Sequence, residues 1–452
     1  MKYMFTSEEI AKVTSGVLRG GNVGVNGVST DTRTIEKGCL FVAVRGERFD
    51  GNDFIPAAAE KGAAAALSDL SEGTVHVNIP VICVRDTREA QLKLARYYRD
   101  KFAAKLCGVT GSVGKTSTKD MIYAVLSAKY KTLRTQGNFN NDIGLPRTLF
   151  GLNESYGAAV IEMGMSALGE ISVLSQAAHP DCAVITNIGW CHIENLKTRR
   201  NILRAKLEIL DGASEDAPLI LCGDDEYLRE VNEKMTGGRR IISYGMGEGC
   251  DVRAENVVHT ENGESFDIIA DGKRYAAAVP VMGEHHVLNA LAAFAVGRVF
   301  GMSAEEIVPA LMDYEASGMR QRIEKRGGVT VILDCYNASP TSMKTSLSVL
   351  GGMKCEGRKI AVLGDMLELG DVSHKLHAGV ADPICENADE CFLYGHEMLY
   401  CKEELEKRGF TVFHSEDKAA LSKTLKSHVR DGDILLFKGS RGMKMEEIAE
   451  II

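Results

Sequence analysis

The sequence predicts an α/β protein built from three domains. The chain has 452 residues, a length that corresponds to about three domains. Apolar strand-like runs alternate with amphipathic helices over most of the chain, which is the pattern of a largely parallel sheet. The hydrophobic fraction of 45% supplies enough apolar side chains for several buried cores.

The first domain is predicted to span residues 1–102 and to be a small α/β unit. Short β-type runs and turns, GVSTDTR and CLFVAV, fill its first half. The alanine-rich segment PAAAEKGAAAAL predicts a helix and PVICV a strand. The helix REAQLKLARYYRDKF, at 88–102, closes the domain.

The central domain is predicted to span residues 103–315 and to contain a parallel sheet. Its strands are KLCGVT, YGAAVIE, CAVITNIG, PLILCG and RIISYG. A more alternating stretch, 251–281, predicts a few antiparallel strands attached to this sheet, and the helix HHVLNALAAFAVGRVFG follows.

The last domain, residues 316–452, again shows alternating strand and helix patterns and is predicted to be Rossmann-like. Its strands are VTVILD, KIAVLG, ECFLYG, TVFHSE and DILLFKGS. Its glycines do not form Gly-x-Gly-x-x-Gly, so no dinucleotide site is predicted there.

Charge and composition exclude several classes of protein. The net charge of −9 is opposite to the basic surface of a nucleic-acid-binding protein. No apolar run approaches the ~18 residues of a membrane span, and the segment MKYMFTSEEIAKVTSG lacks the apolar core of a signal peptide. The 12 cysteines are scattered without a Cys-x-x-Cys pair. We therefore expect a cytoplasmic protein that binds neither nucleic acid nor a membrane.

The segment GVTGSVGKTSTKD, at 108–120, resembles a phosphate-binding loop with a shortened spacing. The common pattern would place its first glycine at Val109, whereas Gly111 leaves only two residues before Gly114. A strand precedes the segment and an amphipathic helix follows it, so backbone N–H groups and the helix dipole can bind phosphate. The alternative is a Gly-Ser-rich turn that only caps a helix. The candidate phosphate-binding residues are Gly111, Ser112, Val113, Gly114, Lys115, Thr116 and Ser117.

Two further polar side chains follow neighbouring strands of the predicted central sheet. Glu162 ends YGAAVIE, where a carboxylate is costly unless it binds a partner. His192 comes just after CAVITNIG, at the sheet edge where open α/β sheets bind ligands. A Mg²⁺-nucleotide site needs such an acid. The alternatives are a strand-end glutamate in solvent and a loop or core histidine.

Several motifs together resemble the ATP-dependent Mur ligase family. They are TGSVGKTS, GNFNNDIGLP at 137–146, IEMG at 161, TNIGWCHIE at 186 and ILRAKLEIL at 202. The shortened glycine spacing is that family's own form of the loop. STDTR at 29–33 and the segment 46–67 resemble the UDP-sugar-binding N-terminal domain of its later members.

The resemblance also implies an activity. DCYNASPTSM at 334, LGDMLELG at 363 and LFKGSRGMKME at 436 resemble the family member that joins D-alanyl-D-alanine to UDP-N-acetylmuramoyl-tripeptide. That reaction proceeds through an acyl phosphate made from ATP and yields UDP-N-acetylmuramoyl-pentapeptide, ADP and phosphate. The implied role is peptidoglycan precursor synthesis in the cytoplasm, and we expect a monomer.

The resemblance implies two Mg²⁺ ions and names their ligands. Thr116 and Glu162 are expected to hold the ion that bridges the β- and γ-phosphates, and His192 to serve the second ion. Lys206 matches the family lysine that CO₂ carbamylates into a carboxylate-like ligand. Without the resemblance, Lys206 reads as an ordinary helix lysine. Lys115 completes the implied catalytic set.

The other implied ATP contacts lie further along the chain. Asn289 matches the asparagine that reads adenine, Arg320 the arginine that reaches the γ-phosphate, and Asp334 a ribose-binding carboxylate. The alternatives are a helix-capping amide, a surface arginine and a turn-forming aspartate. The sequence departs from the family at His286, where asparagine is more common. Arg320 and Asp334 are expected to complete the ATP site when the domains close.

The implied substrate contacts are spread over all three domains. Those near the UDP-sugar are Ser29, Thr30, Asp31, Thr32, Arg33, Arg45 and Gly46. Amides that could bind the substrate carbonyls are Asn138, Asn140 and Asn141, with bonding to their own loop backbone as the alternative. The contacts expected for D-alanyl-D-alanine are Asn337, Ala338 and residues 438–441.

The sequence argues against four rival functions. The sister ligase that adds the third amino acid carries Asp-Asn-Pro-Arg in its diaminopimelate-specific forms, a tetrapeptide this sequence lacks. Folylpolyglutamate synthetase lacks a separate UDP domain, whereas about 100 residues precede the phosphate loop here. A GTPase would carry Asn-Lys-x-Asp, which is absent. A non-catalytic scaffold would have no use for Lys115, Glu162, His192 and Lys206 at one sheet edge.

Overall fold

The computed structural model describes residues 3–46, 48–71, 73–260 and 262–452. The first two residues of the predicted N-terminal segment and Glu47 of the 46–67 motif lie outside the described residues. Three principal sheets follow one another along the chain, each covered by helices, which confirms the predicted three-domain α/β fold. Among the described residues, no helix is long and apolar enough to cross a membrane.

The first domain contains a five-stranded sheet and a two-stranded one. Its strands are β1 (Phe5–Thr6), β2 (Val17–Arg19), β3 (Gly24–Val25), β4 (Gly27–Ser29), β5 (Cys39–Val42), β6 (Ala65–Ser68) and β7 (Val81–Cys83). Its helices are α1 (Ser7–Thr14), α2 (Ile55–Glu60) and α3 (Thr87–Arg99). The five-stranded sheet has the order β2-β7-β6-β5-β4, and β1 pairs with β3.

The alanine-rich segment of this domain is not one helix, so that prediction was wrong. Helix α2 ends at Glu60, Gly62 adopts a positive φ of 91°, and Ala65–Ser68 form strand β6. Strand β6 is buried along its whole length between β5 and β7, with which it pairs in parallel. Small side chains fit this central position, so tertiary packing overrides the helix propensity of alanine.

The central domain contains a nine-stranded sheet. Its strands are β8 (Lys105–Thr110), β9 (Thr132–Arg134), β10 (Ala158–Glu162), β11 (Cys182–Ile185), β12 (Leu219–Cys222), β13 (Ile241–Gly245), β14 (Val252–Thr260), β15 (Gly263–Ala270) and β16 (Lys273–Val279). Its helices are α4 (Lys115–Ser127), α5 (Gly144–Leu149), α6 (Glu170–Ala178), α7 (Ile193–Leu196), α8 (Arg199–Leu207), α9 (Glu233–Thr236), α10 (Glu284–Val299) and α11 (Ala304–Ala310).

The strand order of the central sheet is β16-β15-β14-β13-β12-β11-β8-β10-β9. Strands β8 to β13 pair in parallel, while β15 pairs antiparallel with both β14 and β16. The predicted antiparallel extension of a parallel sheet is therefore present. Strand β8, which leads into the phosphate loop, lies between β10 and β11.

The last domain contains a six-stranded sheet with the order β17-β18-β22-β19-β20-β21. Its strands are β17 (Arg322–Arg326), β18 (Val329–Asp334), β19 (Lys359–Gly364), β20 (Glu390–Tyr394), β21 (Val412–Ser415) and β22 (Ile434–Lys438). Its helices are α12 (Pro340–Gly352), α13 (Ser373–Ala378), α14 (Ala381–Asn387), α15 (Met398–Lys407), α16 (Lys418–His428) and α17 (Glu446–Ala449). Only β17, which the sequence did not predict, pairs antiparallel among these described strands.

Candidate functional site

A cavity of about 920 Å³ lies between the central and last domains. On the central side it is lined by segments that follow β8, β10 and β11 and by the start of α10. On the other side it is lined by the end of β18 and the start of α12. The carboxyl edges of two sheets therefore face one space, which is where open α/β sheets bind ligands.

The phosphate loop lines this cavity and has a backbone that requires glycine. Gly111 has φ of 147°, and a Cβ there would lie 1.9 Å from Oγ1 of Thr186. Gly114 has φ of 82° and forms the N-cap of α4. Helix α4 thus starts at Lys115 with its N-terminus at the cavity, an arrangement that favours an anion.

The side chain of Lys115 lies folded back over its own loop. Its Nζ donates hydrogen bonds to the carbonyl oxygens of Gly111, at 2.8 Å, and Ser112, at 3.3 Å. Both acceptors are neutral carbonyls, so these two contacts do not neutralise the ammonium beside the helix N-terminus. The loop therefore presents the cation that a nucleotide phosphate needs.

Two residues that the sequence analysis did not single out hold the loop in place. The side chain of Asn187 accepts a hydrogen bond from the Val113 N–H at 3.0 Å and donates one to the Val113 carbonyl at 2.9 Å. Oγ1 of Thr186 donates to the same carbonyl at 2.6 Å. Their position in TNIG, directly after a buried strand, was the available signal. These contacts fix the loop from the neighbouring strand β11.

Glu162 is buried at the end of β10, and both of its carboxylate oxygens are engaged. It is 2% exposed. Oγ1 of Thr116 donates to its Oε2 and Nδ2 of Asn140 donates to its Oε1, each at 2.8 Å. The parallel register pairs Glu162 with Val109 on β8, which sets the carboxylate beside the phosphate loop. Two of the predicted ion ligands, Thr116 and Glu162, are thus in direct contact.

His192 lies in the cavity wall with a left-handed backbone, at φ of 59°. Burial lowers the pKa of its imidazole, and the nearby carboxylate of Glu368 opposes this effect. Its Nδ1 lies 2.6 Å from Oε2 of Glu368, although this approach does not meet hydrogen-bond geometry. Glu368 comes from the last domain and was not predicted as a site residue.

Lys206 is 1% exposed in helix α8 and does not itself line the cavity. Among the described residues, none forms a hydrogen bond or ion pair with its side chain. Burial lowers the pKa of its amine well below the usual range, and the positive charge of Lys115 lowers it further. A buried amine without an acidic partner favours its neutral, nucleophilic form.

The part of the chain that the structure describes contains no preformed cluster of metal ligands. Over the described ranges, no group of three or more His, Cys, Asp or Glu side chains could hold a metal ion. The predicted ligand set uses a hydroxyl, one carboxylate, one imidazole and a modified lysine, so it would not form such a cluster. The carboxylate and hydroxyl oxygens of Glu162 and Thr116 fit Mg²⁺, which prefers oxygen ligands.

The predicted adenine and γ-phosphate residues also line the cavity. Asn289 is 7% exposed on α10, where its Oδ1 accepts a 2.8 Å hydrogen bond from Thr118 and its Nδ2 has no partner among the described residues. The guanidinium of Arg320 lies 3.9 Å from the ring centroid of Tyr336. Asn289 therefore retains a free donor for a ligand, and Arg320 is held at the domain junction.

Asp334 ends strand β18 and faces the cavity beside a buried lysine. Its Oδ2 accepts hydrogen bonds from Nζ of Lys438, at 2.6 Å, and from Oγ of Ser346, at 2.5 Å. Lys438 is 2% exposed and also donates to the carbonyl of Asn337 at 3.1 Å. This ion pair fixes the carboxylate and links two strands, β18 and β22, at their carboxyl ends.

The predicted substrate residues divide into two groups. Asn140, Asn141, Asn337, Ala338 and Lys438 line the cavity. The others do not line it: Ser29, Thr30, Asp31, Thr32, Arg33, Arg45, Gly46, Asn138, Gly439, Ser440 and Arg441. Arg33 forms an ion pair with Asp31 at 2.8 Å, which lowers the pKa of that carboxyl to about 2.

Arg88, at the start of α3, connects the first domain to this cavity. It donates to Oδ2 of Asp142 at 2.8 Å and to the carbonyl of Arg45 at 2.9 Å. Arg45 in turn contacts Asp69 at 2.7 Å. Arg88 also lines the cavity, although nothing in its local sequence marked it. It joins the predicted UDP-side residues to the loop that contains Asn140.

The fold and the site define a three-domain α/β protein with a phosphate loop at the carboxyl edge of its central sheet. Comparison with family models agrees with this class. Residues 24–99 match the Mur ligase family catalytic domain, 109–297 the Mur ligase middle domain, and 320–441 the Mur ligase glutamate ligase domain. The chain belongs to the Mur ligase family, as its motifs predicted.

Relatives resemble the chain over its full length. A Bacillus subtilis protein named UDP-N-acetylmuramoyl-tripeptide–D-alanyl-D-alanine ligase is 41% identical, over 98% of this chain and 97% of the relative. A crystal structure of MurF from Acinetobacter baumannii superimposes with a TM-score of 0.92 at 31% identity, covering 99% and 98% of the two chains. The Thermotoga maritima MurF ligase in complex with ADP superimposes at 0.83, with 29% identity and 94% and 96% coverage.

Proposed function

We propose that this chain is an ATP-dependent ligase that joins D-alanyl-D-alanine to UDP-N-acetylmuramoyl-tripeptide. Full-length relatives with that name and a closely superimposable structure support the reaction. Relatives of other specificity superimpose less well, such as a 2,6-diaminopimelate ligase at 0.55 and a folylpolyglutamate synthase at 0.66. The rival reactions are therefore less well supported.

The contact between Thr116 and Glu162 carries the proposal. A hydroxyl in the first turn after the phosphate loop and a buried carboxylate lie within 2.8 Å of each other. This pair supplies oxygen ligands for the Mg²⁺ that accompanies the β- and γ-phosphates. Bound Mg²⁺ would neutralise phosphate charge and so lower the repulsion between ATP and the substrate carboxylate. His192 and a carbamylated Lys206 would serve a second ion.

Lys206 fits the proposed carbamate. Its amine is buried, has no hydrogen-bond or ion-pair partner among the described residues and has a lowered pKa, so its lone pair is available to CO₂. The nitrogen of the neutral amine bonds to the carbon of CO₂, the electron pair of one C=O bond moves to its oxygen, and one proton leaves to solvent, so a neutral amine becomes an anionic carbamate. A negative charge then lies close to the ammonium of Lys115, which attracts it.

The remaining residues bind and orient the reactants. Lys115 and the N-terminus of α4 bind the phosphates, while Asn289 offers its free Nδ2 to adenine. Arg320 and Asp334 reach the same cavity from the last domain, for the γ-phosphate and the ribose. Asn140, bonded to Glu162, and Asn337, across the cavity, are placed for the tripeptide and the dipeptide. Closure around these groups excludes water from the acyl phosphate.

The domain roles follow the same proposal. Residues 1–102 would bind the UDP-sugar, 103–315 ATP, and 316–452 the dipeptide amine together with part of ATP. Arg88, through its hydrogen bond to Asp142, would hold the first domain in a fixed position relative to the cavity. We further propose that the chain acts as a monomer in the cytoplasm, on peptidoglycan precursors.

Formation of ADP and of the pentapeptide product, followed by mass spectrometry, tests the reaction. We expect ADP only when UDP-N-acetylmuramoyl-tripeptide, D-alanyl-D-alanine, ATP and Mg²⁺ are all present. Omission of the dipeptide is the matched control. Equal ADP formation with free lysine or meso-diaminopimelate and the corresponding UDP-dipeptide would overturn the proposal in favour of the sister ligase.

A further inference from the structure

The boundary between the central and last domains contains an unusual contact. His192 follows β11 of the central sheet, and Glu368 follows β19 of the last domain. Both are non-glycine residues with a left-handed backbone, at φ of 59° and 64°. Such strained residues persist only where the surrounding structure holds them, and they concentrate at functional sites. Their side chains meet, with Nδ1 of the imidazole 2.6 Å from Oε2 of the carboxylate.

Although the present orientation of the side chains does not meet hydrogen-bond geometry, this distance is that of a hydrogen bond with a proton between the two atoms. Without one, the lone pairs of a ring nitrogen and a carboxylate oxygen would repel each other at 2.6 Å, which is within the range of a charge-assisted hydrogen bond. A carboxylate is an acceptor, so the proton belongs to Nδ1. A small rotation of the exposed Glu368 side chain, which is 61% accessible, would align the bond.

The backbone around Glu368 is fixed against the same segment of the central domain. The N–H of Glu194 donates to the carbonyl of Glu368 at 3.3 Å. Gly370 has φ of 52°, and a Cβ there would lie 3.3 Å from the side chain of Glu194. The loop that follows β19 therefore docks on the residues that follow His192, and the carboxylate is delivered by a defined contact.

We propose that Glu368 is a positioning residue that holds the His192 imidazole in the Nδ1–H tautomer. This leaves Nε2 with its lone pair for the second Mg²⁺ site, and to that extent the inference rests on the proposed function. Carboxylates that bond the far nitrogen of a ligating histidine fix its tautomer and orientation in the same way. Glu368 does not line the cavity, so it is proposed to act through His192.

The location of Glu368 adds a consequence for the domains. Because it belongs to the last domain, the imidazole is set only when that domain is docked as in this structure. The domain that would bring the dipeptide amine would thereby also prepare an ion ligand of the central domain. Movement of the last domain away from its partner would release His192.

The tautomer can be read directly in the protein without nucleotide or metal. ¹⁵N-histidine-labelled wild type, Glu368→Ala and Glu368→Gln are compared by two-bond ¹H–¹⁵N spectra at pH 8, with His192→Gln for assignment. We expect the Nδ1–H form in the wild type, retention of it in Glu368→Gln, whose amide oxygen still accepts, and the Nε2–H form in Glu368→Ala. Glu403→Ala, an exposed glutamate on α15, is the matched control.

Mg²⁺ titrations of ADP formation give a second readout. We expect Glu368→Ala to raise the half-saturating Mg²⁺ concentration by about tenfold or more, with Glu403→Ala unchanged. An Nε2–H wild type, or a tautomer unaffected by Glu368→Ala, would overturn the positioning role even if ligation proceeds. If the wild type does not ligate, the proposed function fails, while the tautomer result still stands.

Discussion

Oγ1 of Thr116 donates a 2.8 Å hydrogen bond to Oε2 of Glu162, so the first turn of α4 is joined to the end of β10. Strand β10 lies beside β8, from which the phosphate loop emerges. One contact therefore ties the loop, the helix and the neighbouring strand into a single unit. Since the carboxylate is buried, its charge is stabilised by the donors Thr116 and Asn140 and by any ion that the site binds.

Glu162→Gln is expected to reduce kcat for ADP formation by about a hundredfold or more. The substitution removes the anionic ligand of the ion, and it places an NH₂ group opposite one of the two hydrogen-bond donors. Glu215→Gln, an exposed glutamate of the same domain, is the control. Thermal unfolding of both variants separates a folding defect from a catalytic one. Wild-type kcat at saturating Mg²⁺ would contradict the assigned role.

Gly111→Ala is expected to abolish nucleotide binding and to destabilise the protein. The new Cβ would lie 1.9 Å from Oγ1 of Thr186, in a backbone conformation at φ of 147°. We expect a loss of roughly 1–3 kcal/mol in the free energy of unfolding, measured by denaturant titration, and no binding of a fluorescent ATP analogue. Gly249→Ala, with no atom within 4 Å of the added Cβ, is the control and should bind normally.

Lys206→Ala is expected to lose ligase activity, and short carboxylates such as acetate are expected to restore part of it without bicarbonate. The carboxylate would occupy the place of the proposed carbamate. Full activity of the alanine variant in CO₂-free buffer would refute the carbamate. Isotope-labelled CO₂ and ¹³C NMR of the wild type provide a signal that is independent of turnover.

Lys206→Met is expected to have a higher free energy of unfolding than wild type that carries no carbamate. The difference is expected to be larger at pH 7 than at pH 10. In the folded protein the pKa of Lys206 lies below 10.5. As the pH falls below 10.5, the lysine takes up a proton in the unfolded chain but not in the folded protein. The wild type therefore loses folding stability as the pH falls. Each tenfold difference in proton affinity costs about 1.4 kcal/mol. Denaturant titrations in CO₂-free buffer at both pH values measure the difference, which a fully solvated lysine would not show.

His286→Asn is expected to reduce the loss of folding stability at acid pH. His286 is 3% exposed and bonds Gln321 at 2.9 Å, and burial lowers its pKa from 6.5 to about 4. Between these values the unfolded chain binds the extra proton, so the wild type loses up to about 3 kcal/mol from pH 7.5 to 4. Over the same pH range, the free energy of unfolding of the asparagine variant should fall by less than that of the wild type, and the difference should equal this loss. Parallel pH profiles would show that the imidazole is not buried in solution.

Sequence reasoning worked best where a property depends on local pattern. The phosphate loop, its strand and its helix are contiguous, so glycine spacing and apolar periodicity predict them together. The alanine-rich segment failed because its outcome depends on β5 and β7, which are distant in sequence. Alanine has a high helix propensity, yet it also fits a central strand that is buried on both faces.

The candidate site shows the same division. The motif TNIGWCHIE pointed to His192. Asn187 and Thr186 lie in the same motif but were not predicted as site residues, because their role is to hydrogen-bond the loop that follows the adjacent strand. Arg88 lies in unremarkable local sequence, and Glu368 lies in the LGDMLELG motif, which indicated no role for that residue. Each acquires its role from a contact with another domain, which no local pattern encodes.

The sequence by itself determined the chemistry available to this protein: a phosphate loop, an acid after one strand, a histidine after the next, and the family to which these motifs belong. Only the tertiary structure decided that Lys206 is buried, with no ion-pair partner in the described part of the chain, and that Glu368 meets His192 across a domain boundary. The reason is physical. Residue type and spacing fix local conformation and charge, whereas burial and pairing depend on strand order, register and the docking of domains that are distant in the chain.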